Sequence, residues 1–99
     1  MRPRQPAGLP TRLEAQINLG RAIALGPGGD PSEGLKVSSA VEAQARRLGL
    51  KRIALEAKLA MSEIRARIRP GDRALIAGLI VEAESAGYLR IARQARAVR

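Results

Sequence analysis

The chain has 99 residues, which is enough for one domain with a modest core. It contains no cysteine and no histidine, which excludes disulfides, thiolate or imidazole metal ligands, and every catalytic triad that needs either residue. The net charge of +9 points to nucleic acid or an anionic surface as partner, or else to the arginine-rich codon usage of a GC-rich genome acting on solvated helix faces.

The chain begins with a proline-rich, basic stretch and continues into the first predicted helix. Residues 1–10 are typical of a disordered basic arm. Thr11 followed by Glu14 is a capping-box pattern, so we expect a helix from just after Pro10 to Leu25. The glycine-rich loop 26–29 ends it. Two apolar stripes lie on this helix, and we expect both to be buried: Leu13, Ile17, Gly20 and Ala24, and beside them Ala15, Leu19, Ala22 and Ile23.

The next two helices have clear start and stop signals. Asp30 is a predicted N-cap, with proline next and then Glu33 at the reciprocal capping position. Gly49 is the predicted C-cap of this second helix. A third helix is predicted from Lys51 to about Arg67, with a favourable pair between Glu63 and Arg67. We expect this third helix to be central and to touch both neighbours, so that a charge at Ala57 would disrupt the core of both repeats.

Two further helices complete the chain. A break at 70–72 precedes a fourth helix, for which Asp72 is the predicted cap. This helix is apolar on nearly all sides and too short for a bilayer, which needs about 20 residues, so we expect it to be covered on both sides, with close approach of another backbone at Ala74 and Gly78. After a cap at Gly87, a closing helix is predicted over 88–98. Its expected inward side chains are Leu89, Ile91, Ala92, Ala95 and Val98, and Arg90, Arg93, Arg96 and Arg99 follow its length.

Short matches along the chain indicate an internal repeat. Leu13-Glu14-Ala15 returns as Leu55-Glu56-Ala57, Val41-Glu42-Ala43 returns as Val81-Glu82-Ala83, and Gly49 returns as Gly87. The sequence therefore predicts an all-α array of antiparallel helix hairpins. Its units are repeat one at 11–49, repeat two at 50–87 and a closing helix at 88–98. Chance similarity in an alanine- and arginine-rich helical sequence is the alternative.

This arrangement resembles the tetratricopeptide-repeat superfamily. The resemblance rests on Leu19-Gly20, a short turn, and Gly34 with Val41, or Ala74 with Val81 in the second copy. Residues 54–96 are similar to the degenerate repeats that end many multidomain bacterial signalling proteins. The resemblance implies a right-handed array whose first helices line a concave face that binds a protein partner. It places five residues on that face: Glu14, Arg21, Glu56, Glu63 and Arg67.

The rival interpretation is non-specific binding of nucleic acid through phosphate contacts. Basic residues gather at the first inter-repeat corner and along the closing helix, and aromatic stacking residues are absent apart from Tyr88. The candidate phosphate-contacting residues are Arg46, Arg47, Lys51, Arg52, Arg90 and Arg93.

No enzymatic chemistry is indicated. The nine carboxylates include no recognisable catalytic pair, and Glu82 and Glu84 point to different sides of one helix. We therefore expect a cytoplasmic, non-catalytic interaction or scaffolding module without a cofactor. The expected partner is another protein or a second copy of the chain, with nucleic acid as the alternative and no membrane. A fragment of a longer repeat protein is a further interpretation of the same pattern.

Overall fold

The computed structural model describes residues 8–71 and 73–98. Within these residues the chain is all-α, with no strand. Its helices are α1 (Leu9–Leu25), α2 (Pro31–Arg47), α3 (Lys51–Ile68), α4 (Ala74–Ala86) and α5 (Leu89–Arg96). Residues 1–7 of the predicted arm at 1–10, the predicted cap Asp72 and Arg99 lie outside the described residues, whereas Leu9 and Pro10 of that arm belong to α1.

The first helix starts earlier than the sequence predicts. It begins at Leu9 after Gly8, and no side chain caps it. Pro10 is tolerated there because the first-turn amide that it lacks has no partner inside a helix. Thr11 therefore lies within the helix, and the predicted capping box with Glu14 is wrong.

Asp30 is the N-cap of α2 as predicted, and the C-cap is Leu48, one residue before the predicted Gly49. The Glu33 amide donates to the Asp30 carboxylate at 3.2 Å. At the other end Gly49 has φ of +73°, and the Leu50 amide donates to the Ala45 carbonyl at 2.8 Å, which is a Schellman motif.

The end of α4 has the same backbone structure as the end of α2. Gly87 has φ of +85°, and behind it the Tyr88 amide donates to the Ala83 carbonyl at 2.8 Å. The predicted correspondence between Gly49 and Gly87 is therefore visible in the backbone hydrogen bonds.

The central position of α3 is confirmed. It contacts α1, α2, α4 and α5, and side chains around most of its circumference are buried. Ile53, Ala54, Ala57 and Ala60 join a core with α1 and α2, and Leu55 and Leu59 join a second core with α4 and α5. Ala57 belongs to the first core and not to both.

The two hairpins pack differently. Gly20 and Gly34 bring α1 and α2 together, since a Cβ at Gly34 would lie 2.5 Å from the Ala24 Cβ. Ser38 is buried at this crossing, and its hydroxyl has no hydrogen-bond partner among the described residues. In the second hairpin Ile76 takes the place of Ser38, and α4 meets α3 over a shorter stretch than α2 meets α1.

The prediction that α4 is covered on both sides is wrong. Only Ile76, Leu79 and Ala83 of this helix are buried, Val81 is 64% exposed, and nothing lies within 4 Å of a Cβ at Gly78. Among the described residues, α3 and α5 are the helices against which α4 packs.

The predicted burial of apolar side chains on α1 and α5 is confirmed only in part. On α1 the stripe of Leu13, Ile17, Gly20 and Ala24 is buried as predicted. On the second stripe Ile23 is half-buried, whereas Ala15, Leu19 and Ala22 are exposed. On α5 Leu89 is 61% exposed, although Ile91, Ala92 and Ala95 are buried.

The structure aligns α2 with α4 differently from the sequence matches. Val41 is 2% exposed and Val81 is 64% exposed, so the predicted match between these two residues is wrong. Leu79 corresponds to Val41 when the two helices are aligned on Gly49 and Gly87, and it is fully buried. The Val-Glu-Ala match is a coincidence of composition, because alanine and glutamate recur on both helices.

Candidate functional site

Ion pairs connect the odd-numbered helices in a repeated way. Arg52 Nη2 of α3 donates to Glu14 Oε1 of α1 at 2.6 Å. Arg90 Nη2 of α5 donates to Glu56 Oε1 of α3 at 2.9 Å. The two acids lie in the matching Leu-Glu-Ala segments, and the two arginines lie at matching positions after the glycines that precede α3 and α5. The Arg52 pKa is raised, chiefly by its hydrogen bond to Glu14.

The other three residues predicted for the concave face are Arg21, Glu63 and Arg67. They lie further along the same side of the odd-numbered helices. Arg21 Nε donates to Glu63 Oε1 at 2.6 Å and ties α1 to α3. The predicted pair between Glu63 and Arg67 is wrong, because the Glu63 carboxylate turns to the neighbouring helix. Arg67 is exposed and forms no ion pair with any other described residue.

Arg21, Glu63 and Arg67 line a groove, called here the odd-helix groove, with a volume of about 640 Å³. Its floor is apolar, with Leu59 and Ala66 of α3 buried beneath it. Its other lining residues are Leu25, Gln94, Ala97 and Val98. Glu14 and Glu56 are not part of the lining, so the structure brings three of the five predicted residues together.

The predicted phosphate-contacting residues are mostly engaged by carboxylates. Arg46 and Lys51 both donate to Glu82, at 2.9 Å and 2.7 Å for their shortest bonds, and Arg52 and Arg90 belong to the ion pairs above. Arg47 and Arg93 are exposed without a carboxylate partner among the described residues. The six residues therefore do not form one bare basic face.

Glu82 connects several helices through ion pairs, a role that the sequence did not predict. It accepts from Arg46 of α2 and from Lys51 and Lys58 of α3, and so connects three helices. The hydrogen bonds from Arg46 and then Lys51 lower the pKa of Glu82 to about 2. The Arg46 pKa is raised by the same bond to Glu82 and by a second one to Glu42.

Glu84 faces away from Glu82. It pairs with Arg96 of α5, whereas Glu82 pairs with α2 and α3. This confirms that the two acids of α4 point to different sides.

A second groove, called here the even-helix groove, lies between α2 and α4 and has a volume of about 960 Å³. Met61 and Arg65 of α3 line it together with residues of α2 and α4. The sequence gives no signal for this groove, because it depends on how far apart α2 and α4 lie. Its other lining residues are Ser32, Leu35, Lys36, Ser39, Ala40, Ala43, Ala74 and Leu75.

Neither a metal site nor a membrane span is found in the part of the chain that the structure describes. Within residues 8–71 and 73–98, no three acidic side chains come close enough to hold a metal ion. None of the helices there combines the length and the apolar character needed to cross a bilayer.

Comparison with known proteins gives no relative. No family model, no curated protein and no solved structure matches the chain. The two grooves and the ion pairs are therefore the features from which a function can be inferred.

Proposed function

We propose that this chain is a non-catalytic protein-interaction module, built as a right-handed tetratricopeptide-like array of helix hairpins. Its proposed binding surface is the odd-helix groove, and its proposed partner is a segment of another protein. The groove carries this proposal, because three successive odd-numbered helices contribute to one continuous surface.

The recurrence of contacts supports an array. The Glu14–Arg52 pair and the Glu56–Arg90 pair occupy corresponding positions between successive odd-numbered helices. The backbone bonds at the ends of α2 and α4 correspond in the same way. Repeat arrays present extended surfaces of this kind, since each unit contacts only its neighbours and the surface grows with the array.

The chemistry of the groove supports a peptide ligand. Leu59 and Ala66 offer an apolar floor for side chains of the partner, and Arg67 offers a guanidinium that no carboxylate of the described chain occupies. Arg21 and Glu63 already pair with each other and add polarity without a large net charge. The expected ligand is an extended segment with apolar side chains and a carboxylate that meets Arg67.

The experiment compares proteins from the native host that are retained by the immobilised chain and by its variants. Arg67→Glu reverses the charge in the groove, and Arg47→Glu makes the same change at an exposed position outside it. We expect a partner that Arg67→Glu loses and Arg47→Glu keeps, with equal melting temperatures for both variants. Equal retention by both variants contradicts binding in the odd-helix groove.

Non-specific phosphate binding is the second proposal, supported by the net charge and by Arg47 and Arg93, which have no carboxylate partner among the described residues. A gel shift against mixed DNA and RNA over a salt series tests it. Phosphate contacts require affinity that falls as salt rises from about 50 to about 200 mM, by about 10³-fold for six contacts and by about tenfold for two. No shift at the lowest salt eliminates this function.

A further inference from the structure

The even-helix groove exists because α4 does not pack on α2. Helix α2 contacts α1 and α3, and α4 contacts α3 and α5, so the two even-numbered helices are separate. One bridge joins them, where Arg46 in the last turn of α2 donates both Nη atoms to Glu82, at 2.9 and 3.1 Å. Residues of the earlier turns, such as Ser32 and Leu35 of α2 and Ala74 of α4, line the open part.

The walls of this groove carry mostly small or apolar side chains. Ala40, Ala43 and Ser39 of α2 are exposed, and Leu35 and Leu75 are half-buried on either side. The methionine of α3 is half-buried beneath them, and a flexible thioether adapts its shape to the surface placed on it. Small wall residues allow a third helix to lie close to both even-numbered helices, as in the helix-in-groove mode of recognition.

The positive charge around the groove favours an occupant with negative charge. Lys36 and Arg65 are its charged lining residues, and no carboxylate of the residues that the structure describes lines it. The chain as a whole carries +9, so a second copy would bring like charge to this basic rim. The same basic residues that repel a second copy attract a partner with acidic residues.

We propose that the even-helix groove binds an amphipathic helix of another protein, whose apolar side lies between α2 and α4 and whose flanks are acidic. This surface is separate from the odd-helix groove, since the two have no lining residue in common. The inference therefore does not depend on the function proposed above.

The test is selection from a displayed library of helical peptides of about 18 residues, about five turns, with unbiased charge. The full chain is the bait, and the selected peptides are measured against four variants. Ala43→Trp fills the groove, Lys36→Glu reverses its charge, and Ala15→Trp places the same indole on an exposed position of α1. The fourth variant, Arg67→Glu, shows whether a selected peptide binds in the odd-helix groove instead.

We expect the selected peptides to be net acidic, with apolar residues three and four apart. Their affinity should fall at least tenfold with Ala43→Trp and with Lys36→Glu, and should stay within twofold with Ala15→Trp and Arg67→Glu. The proposal is overturned by selection of no peptide, by peptides without net negative charge, or by peptides that tolerate both groove variants. Because Lys36→Glu is an exposed substitution, its result stands even where Ala43→Trp lowers the melting temperature.

Discussion

At the scale of single residues, the absence of a side chain determines how the first hairpin closes. Gly34 lies within α2, where glycine costs about 1 kcal/mol relative to alanine. Its Cβ would meet the Ala24 Cβ at 2.5 Å and the Gly20 carbonyl oxygen at 2.6 Å. The close crossing of two helices thus requires a residue that is unfavourable for each helix alone.

Two glycine substitutions with the same chemistry should have opposite effects. Gly34→Ala places a methyl group against backbone atoms of α1, and we expect a loss of about 1–3 kcal/mol in the free energy of unfolding. Gly78→Ala is the matched control in α4, where a Cβ meets nothing within 4 Å, and we expect a gain of up to about 1 kcal/mol.

Urea denaturation followed by circular dichroism measures both changes. A stable Gly34→Ala protein would contradict the close crossing of α1 and α2. A loss in Gly78→Ala would show that the outer side of α4 is covered.

At the scale of elements, α3 is the helix that contributes to both hydrophobic cores, because it lies between them. Ile53 and Ala57 face the core shared with α1 and α2, and Leu55 and Leu59 face the core shared with α4 and α5. A charged side chain placed on either of these sides of α3 would be buried in one core or the other. Substitutions on α3 therefore test each core separately.

Ala57→Asp should disrupt the first core. Ala57 is fully buried, and an unpaired carboxylate there should lower the free energy of unfolding by at least about 3 kcal/mol. Ala77→Asp, at an exposed position in α4, should change it by no more than about 0.5 kcal/mol. Thermal unfolding of both variants measures the difference, and a folded, stable Ala57→Asp protein would contradict the burial of Ala57 in the first core.

The connection that Glu82 makes between α2, α3 and α4 should depend on pH. Its pKa is lowered from 4.5 to about 2 in the folded chain, so the carboxylate stabilises the fold above pH 4.5 and this contribution is lost as pH falls from 4.5 toward 2. Because the side chain is 24% exposed, we expect a contribution of about 1 kcal/mol.

Glu82→Gln should remove that part of the pH dependence. The difference in unfolding free energy between wild type and variant should be constant above pH 5 and should shrink as pH falls from about 4.5 to about 2. Denaturation across this range measures it. Glu33→Gln is the control, since this acid lies in the first turn of α2 and forms no ion pair with any other described residue.

At the scale of the whole molecule, exposed apolar side chains and a net positive charge act against each other. Leu19 is exposed on α1, and Val81 and Leu89 are exposed on α4 and α5 at the opposite end. Open ends of repeat arrays favour association, whereas a charge of +9 on each copy opposes it.

Self-association should therefore increase with salt. Raising the salt from about 0.1 M to about 1 M shortens the screening length from about 10 Å to about 3 Å and removes most of the repulsion between copies. Light scattering at high micromolar protein concentration should show a larger mass at high salt, and less of it after Val81→Gln. A chain that stays monomeric at both salt concentrations would contradict association through its ends.

The sequence by itself determined the helices and most of their ends. Asp30, Gly49 and Gly87 act through the backbone within a few residues, so their effect can be read without the rest of the fold. The periodic burial of Leu13 and Ile17 follows from the same local geometry.

Only the tertiary structure decided which apolar sides are covered and which charges pair. Ser38 and Ile76 occupy corresponding positions and are both buried, yet α2 and α4 do not contact each other, and the even-helix groove lies between them. Glu63 pairs with Arg21 rather than with Arg67 because the neighbouring helix comes within hydrogen-bond reach. Periodicity cannot supply such facts, since it specifies a side of one helix and not the helix that lies against it.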